Sequence, residues 1–448
     1  MENKNSFIQG GILGPLVKFT FPVLFALILQ SMYGAIDLLV VGRFGAAADV
    51  SAVSTGSQIM HTITAIMVGL SMGTTVLLGQ SIGRRDLKAA GDTVGAGICL
   101  FTALGTLVTI VMLIAGNALV GIMQTPAEAF DPACDYVLVC SAGTLFIIAY
   151  NLLGGVFRGM GDSRTPLIAV AIACAANILL DLLFVAVFGM GAMGAALATV
   201  LAQAISVGIS FILIRRRGLI FPFSAKQLRF DIGIIKETLR MGIPIALQDF
   251  LVSISFLVLL AIVNSLGLII SAGVGVAEKL TSFIMLVPSA FMQSMSAFVA
   301  QNIGANQPGR AKKALLYGMA TSFGVDVIMA AAAIFFGDRL ASIFTSDPAV
   351  IEAAALYLMS YGIDTLLVSF LFCFSGYFNG CGRTTFVMAQ GIVGAFCVRI
   401  PVAFIMSRIP GISVFFIGLA TPCSTIVQIA LCVWYYLRTE KRSRLSRT

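Results

Sequence analysis

The 448-residue chain is poor in charge: Asp, Glu, Lys and Arg make up 11% of it, against about 25% in a soluble globular chain. Histidine occurs once, at His61, with no partner spacing that could build a metal site around it. The nine cysteines show neither metal-ligand spacing nor a disulfide framework, so they are expected as free thiols serving as small apolar residues. No polar stretch is long enough for a folded domain outside the apolar segments, the longest being 215–239. The alternating pattern of an outer-membrane barrel is missing too. The first apolar run carries Asp37 and has no Ala-x-Ala site, so it is expected to stay as a helix rather than leave as a signal peptide.

What is present is apolar. Hydrophobic residues make up 59% and the mean hydropathy is +1.01, which places the chain in a bilayer. Runs of about 20 apolar residues span a membrane as helices. Twelve such runs occur, at 14–41, 55–80, 93–116, 134–156, 166–188, 192–214, 240–267, 272–300, 314–336, 354–378, 386–407 and 412–437. The expected fold class is therefore all-α and polytopic. A net charge of +8 does not point to nucleic acid, because the basic residues sit in short gaps between the runs. They follow the rule that cytoplasmic loops hold the excess Lys and Arg: 23 fall on one side and three on the other. Both termini are expected in the cytoplasm, with 117–133 and 338–352 facing outward.

The two halves repeat. Gly155-Val-Phe-Arg-Gly159-Met-Gly161 matches Gly376-Tyr-Phe-Asn-Gly380-Cys-Gly382, and Gln80-Ser-Ile-Gly83 matches Gln301-Asn-Ile-Gly304, both 221 residues apart. Tyr136 falls on Tyr357 at the same offset, and Ala198-Thr199 on Ala420-Thr421 at 222. Six spans per half make the repeats parallel, and the cleft between them is the natural substrate site. The expected division is 1–214, a cytoplasmic linker 215–239, and 240–448. Pro22, Pro244, Pro288, Pro401 and Pro422 lie inside runs, where each removes a backbone hydrogen bond and can kink a helix.

Acids inside the runs need an explanation, since each costs about 2.5–3.5 kcal/mol to insert. The C-terminal half holds Asp249, Glu278, Asp326 and Asp364, with Lys279 and Arg399 inside its runs. The N-terminal half holds Asp37 and Asp181 and no base inside a run. These two must be hydrated, protonated or neutralised by a bound cation. Gln30, Tyr33 and Asp37 share one face of the first helix, and Asn177 stands one turn from Asp181. Two carboxylates, an amide and a phenol suit a proton or a small hard cation such as Na⁺. The plainer alternative has Asp37 capping a helix end and Asp181 bonded to backbone. Asp249, Asp364 and Glu278 are candidates for contact with substrate or a second ion. Glu278 and Lys279 are adjacent, about 100° apart, and each is expected to neutralise a different neighbour. Arg399, beside Pro401, reads as a structural lock.

Several segments resemble the multidrug and toxic compound extrusion (MATE) family: PLVKFTFPVLFALILQSMYGAIDLLVVGRFG with MGIPIALQDFLVSISFLVLLAIVNSLG, GQSIGRRDLKAA with AQNIGANQPGRAKKA, FRGMGDSRTP with FNGCGRTT, and NILLDLLFVAVFGMGAMGAALATVLAQ. The resemblance covers nearly the whole chain. It implies two six-helix lobes forming a V-shaped cleft, and cation-coupled export of organic, often cationic, compounds. It implies that Asp37 and Asp181, with Asn177 beside them, bind the coupling ion, H⁺ or Na⁺. For its NorM-like branch it implies acids in helices 7 and 10, the helices that hold Asp249 and Asp364.

The resulting expectation is a monomeric, multi-pass antiporter of the inner membrane, not an enzyme, with no cofactor beyond its coupling ion. The alternative is a flippase for a lipid-linked precursor, which would favour a strongly cationic cleft. A major-facilitator transporter would place an Asp-Arg pair ahead of Gly-Arg-Lys, where this chain has Ser81-Ile82 before Gly83-Arg84-Arg85. A membrane enzyme would need catalytic groups on larger loops, and a passive channel has no use for the two-lobe repeat.

Overall fold

The computed structural model describes residues 7–445, so Lys4 and Arg447 of the basic count lie outside the described residues. All regular structure among these is helical. In chain order the helices are α1 (Leu13–Phe44), α2 (Ala47–Gly83), α3 (Leu87–Ile122), α4 (Ala127–Ala142), α5 (Thr144–Met160) and α6 (Arg164–Asp181). A π-helical segment, Leu182–Val187, extends α6 and leads to α7 (Gly191–Arg217). Then come α8 (Ile232–Asn264), α9 (Leu268–Ile284), α10 (Leu286–Gly304), α11 (Pro308–Phe335), the short α12 (Gly337–Ala341) and α13 (Pro348–Gly380). The last are α14 (Thr384–Ile392), a second π-helical segment Val393–Arg399, α15 (Ile400–Ser407), α16 (Val414–Gly418) and α17 (Ala420–Leu445).

Eleven helical stretches are long and apolar enough to cross a membrane, and the pair α4 and α5, bent by 53°, makes a twelfth. The spans thus agree in number and order with the twelve apolar runs. Pro22 and Pro244 sit inside unbroken helices. Pro288, Pro401 and Pro422 lie within the first turns of α10, α15 and α17, just after the breaks at Met285, the π-helical segment and Leu419, where each removes a backbone hydrogen bond. The sharpest break, at Gly143 between α4 and α5, involves no proline.

By packing, the described residues group into two compact units. One comprises Lys18–Ala246 with Ala300–Asn306; the other comprises residues 7–17, 247–299 and 307–445. In the first, the segment 215–239 is anchored at a few points. Phe221 is buried beside Val94 and Leu152, Arg229 pairs with Asp92 at 3.6 Å, and the start of α8 lies against α2, Gly242 beside Leu70 and Ala246 beside Gly69. In the second, Arg310 donates to the carbonyls of Gly10 (2.6 Å) and Phe7 (3.0 Å), tying down the segment before α1.

Each unit contains the same helix crossing. In one, α5 crosses α2 so closely that a Cβ on Gly155 would come within 3.2 Å of the Ser71 carbonyl oxygen, and one on Gly159 within 2.9 Å of that of Thr75. In the other, α13 crosses α10, and the matched Gly376 and Gly380 would place a Cβ 2.5 Å from the Met292 oxygen and 2.7 Å from that of Ser296. Both acceptors also keep the 221-residue offset. The repeated glycines are therefore packing residues that let two backbones approach.

Candidate functional site

Asp37 lies on α1, Asn177 and Asp181 on the last two turns of α6, and Thr199 on α7. Their packing is set by apolar neighbours: Val41 one turn beyond Asp37, Val185 in the π-helical segment, and Ala192, Ala195 and Ala196 on α7 form one buried cluster with Tyr136 and Cys140 of α4. Alanine-rich α7 lets α6 and α1 approach closely enough for polar side chains to meet. Asp37 is 2% exposed and Asp181 is fully buried.

The hydrogen bonds converge on Asp37. Thr199 Oγ1 donates to its Oδ2 at 2.9 Å, and Asn177 Nδ2 donates to its Oδ1 at 3.3 Å. The Asp181 carboxyl is its electrostatic neighbour. No donor among the described residues reaches either Asp181 oxygen, and Asn177 Oδ1 also lacks one. Two buried carboxyls thus lie near each other, with three oxygens, both of Asp181 and Oδ1 of Asn177, lacking a donor. Two carboxylates so placed cannot both stay charged and unpartnered, because like charges about 4 Å apart repel by roughly 4 kcal/mol at an effective dielectric of about 20. A shared proton satisfies the pair by turning one oxygen into a donor; a small hard cation satisfies it by accepting several oxygens at once.

Asp181 is the last residue before the π-helical segment. Such widened turns disrupt the regular i to i−4 ladder and recur at functional sites. Tyr136 and Cys140 stand close enough to feel the charge of Asp37. Room for the Tyr136 ring comes from Gly56 of α2, where any Cβ would collide with it.

Of the five residues expected around an ion, the structure brings together Asp37, Asp181 and Asn177. Tyr33 and Gln30 stand apart. The Tyr33 hydroxyl donates to the Val170 carbonyl at 3.1 Å and its ring packs with Val170, Ala173, Cys174 and Ala202. Gln30 is half-buried and two helical turns, about 10 Å, from Asp37. Sharing a helix face aligned these residues without bringing them to one depth. Thr199, Tyr136 and Cys140 were not singled out as site residues. Thr199 and Tyr136 were visible as members of the repeat, which was the only signal for them in the sequence.

In the other unit, Asp364 of α13 accepts a hydrogen bond from Thr425 Oγ1 at 2.6 Å and has Arg399 as an electrostatic neighbour. Glu278 of α9 is half-buried, with Oε1 lacking a donor. Asp249 is half-buried on α8. Asp326 of α11 is fully buried and accepts from Ser322 Oγ at 3.1 Å. Thiols occur at all nine cysteines.

Comparison with known proteins fits this arrangement. The family model MatE matches the chain twice, over 22–183 and 244–405, the two matches starting 222 residues apart. The chain is 27% identical over 407 residues to a probable multidrug resistance protein, YpnP, of Bacillus subtilis, covering 90% of each. It is 24% identical to the multidrug export protein MepA of Staphylococcus aureus, covering 96% of this chain and 95% of that one. At the same identity it covers 96% of a FAD transporter of Shewanella oneidensis, over 98% of its own length. Among solved structures, an outward-facing multidrug resistance MATE transporter of the MOP superfamily superposes with a TM-score of 0.92 at 22% identity, covering 98% of this chain and 99% of that one.

Proposed function

The chain belongs to the MatE family of transporters, and from that premise we propose that it is a secondary antiporter that exports organic, cationic amphipathic compounds in exchange for H⁺ or Na⁺. The observation that carries the reading is the Asp37–Asp181 pair: two buried carboxyls that are electrostatic neighbours, Asp37 held by Thr199 and Asn177, with no base bonded to either. Such a pair takes up a cation when it opens to the side where cations are concentrated. Once neutralised, it can close among apolar side chains at little cost.

Substrate and ion need not touch in this scheme. The ion biases the unit toward one conformation, and substrate entering from the cytoplasm favours the other, so exchange arises from competition for states. The energy is sufficient. One net charge moving inward through about 150 mV releases roughly 3.5 kcal/mol, equal to a gradient of about 300-fold at tight coupling; export of a monovalent cation for one ion moves no net charge, so that exchange draws on the ion's concentration gradient alone, and a second ion per cycle adds the electrical work. The protein acts as a monomer in the inner membrane with both termini in the cytoplasm, a placement motivated by the skew of Lys and Arg. A lipid-linked precursor flippase is disfavoured because two acids and no base form the centre described above.

The test is efflux of a cationic dye such as ethidium from proteoliposomes under separately imposed pH and Na⁺ gradients. Uphill movement with one gradient and none with the other identifies the ion. Dye movement that never exceeds its own gradient refutes the antiporter.

A further inference from the structure

The segment between α7 and α8 lies across α3 as a strap. Phe221 is buried beside Val94 of α3. At Gly91 of α3 a Cβ would come within 2.8 Å of the Pro222 carbonyl oxygen, and at Gly95 one would collide with the Gln227 carbonyl. A 3-10 turn, Ala225–Gln227, stiffens the middle, with the Ser224 N–H donating to Gln227 Oε1 at 2.9 Å. These contacts use one side of the strap. Apolar side chains elsewhere on it are open: Phe223, Phe230 and, at the start of α8, Ile232 are 37%, 64% and 79% exposed.

The depth of the strap follows from helix lengths. It joins two membrane spans, Gly191–Arg217 and Ile232–Asn264. With 36 residues, α3 is about 54 Å long, so when centred in a hydrocarbon core of about 30 Å it protrudes by about 12 Å at each end. Gly91 and Gly95, its fifth and ninth residues, lie about 6 and 12 Å from its start. The strap therefore rides at headgroup level, where Phe and Leu enter the acyl boundary and Lys and Arg meet phosphates.

Its charge is one-sided. Residues 215–240 hold seven Lys and Arg against Asp231 and Glu237. Two of the bases are engaged: Arg217 Nη1 donates to Thr165 Oγ1 at 3.1 Å, and Arg229 pairs with Asp92. Asp231 caps α8, accepting from the Ile234 N–H at 3.1 Å. Arg215, Arg216 and Lys226 are exposed, and no acid pairs with them among the described residues.

We propose that this strap is a binding surface for anionic phospholipid. Arg215, Arg216 and Lys226 take the headgroup phosphates, and Phe223 and Phe230 sit among the upper acyl carbons. The occupant is a bilayer lipid because the strap's two ends continue into the bilayer, and it is an anionic one because the free charges are all positive. The proposal rests on the chain crossing a membrane and does not depend on the antiporter reading.

The test uses the full chain in vesicles, with one fluorescent reporter. Trp434, the single tryptophan, is exposed; Trp434→Phe with Phe223→Trp moves the reporter to the strap. Quenching by brominated phosphatidylglycerol diluted in plain phosphatidylcholine is compared with the reverse mixture, and the ratio gives the local enrichment of the anionic lipid. Each Lys or Arg near an anionic leaflet is worth about fivefold in binding, so enrichment of about fivefold or more is expected, falling at least threefold when NaCl is raised from about 0.05 to 0.5 M.

Arg215→Gln, Arg216→Gln and Lys226→Gln together should bring the ratio near one. Removing three exposed bases elsewhere, Arg84→Gln, Lys88→Gln and Lys313→Gln, should leave it within about twofold. No quenching by either lipid overturns the proposal, because the strap then lies in water. Equal quenching by both, or equal loss in the two triple variants, overturns the anionic preference at this surface. Soluble glycerol phosphate at about 10 mM should leave the ratio unchanged; abolition by it would reveal a site for a free phosphate instead of a lipid. The reporter with its bases intact gives the enrichment and salt results by itself, so a triple variant that fails to fold does not shield the proposal.

Discussion

Replacing Thr199 by Val isolates one hydrogen bond at the ion site, because the two side chains have nearly the same shape. Thr199 Oγ1, half-buried, donates to Oδ2 of the buried Asp37 at 2.9 Å. A hydrogen bond to a charged group contributes about 1.5–3 kcal/mol, and one to a neutral group about 0.5–1.5 kcal/mol. The hydroxyl therefore favours the ion-free carboxylate over its neutralised form by about 1–1.5 kcal/mol, or five- to tenfold. Removing it should make the site hold its ion more tightly. In proteoliposomes, the driving-ion concentration for half-maximal dye efflux should fall about five- to tenfold. The maximal rate should fall too, since ion release becomes slower. Thr199→Ser keeps the donor and should leave the midpoint in place. An unchanged midpoint in Thr199→Val, or one moved to higher ion concentration, would show that Asp37 is not where the ion binds.

Asp181→Asn and Asp37→Asn should each express near wild-type levels and still bind substrate, yet sustain no dye gradient under an imposed pH or Na⁺ gradient; full uphill transport by both, with unchanged pH and sodium dependence, would remove the pair from the mechanism. Asp326→Asn should have the smaller effect, because that carboxyl is held by Ser322 and has no second carboxyl as its electrostatic neighbour. Gly56→Ala should push the Tyr136 ring out of place and cost about 1–3 kcal/mol by overpacking; differential scanning fluorimetry should show a lower Tm, partly restored by Tyr136→Leu, and an unchanged Tm would mean that the ring moves freely. Single cysteines in a cysteine-free background should react with impermeant reagent in intact cells at 117–133 and 338–352 but not at 215–239; external labelling of 215–239 would reverse the orientation.

The span count was legible because hydropathy is summed locally along the chain, and a run of about 20 apolar residues has little choice of structure in lipid. The repeat was legible for the same reason: matched glycines at a constant offset need no knowledge of contacts. Asp37 and Asp181 stood out because a bilayer penalises charge at any azimuth. Their partner Asn177 was found through the geometry of a single helix. Tyr33 passed the same geometric test, but its hydroxyl is spent on Val170, which no pattern in α1 reveals.

What the sequence by itself determined, then, is the class of the molecule, its twelve apolar runs, its internal repeat and the acids that need neutralising. Tertiary structure decided who neutralises them. Thr199 and Asn177 are 162 and 140 residues from Asp37, and Ser255 is 144 from Arg399. Whether such side chains meet depends on the rotation and depth of helices packed side by side. That packing is set by close crossings such as Gly155 on Ser71 and by π-helical turns after Asp181 and before Arg399. Hydropathy is blind to rotation about a helix axis, so the sequence showed which charges needed partners and only the packed bundle showed which partners they have.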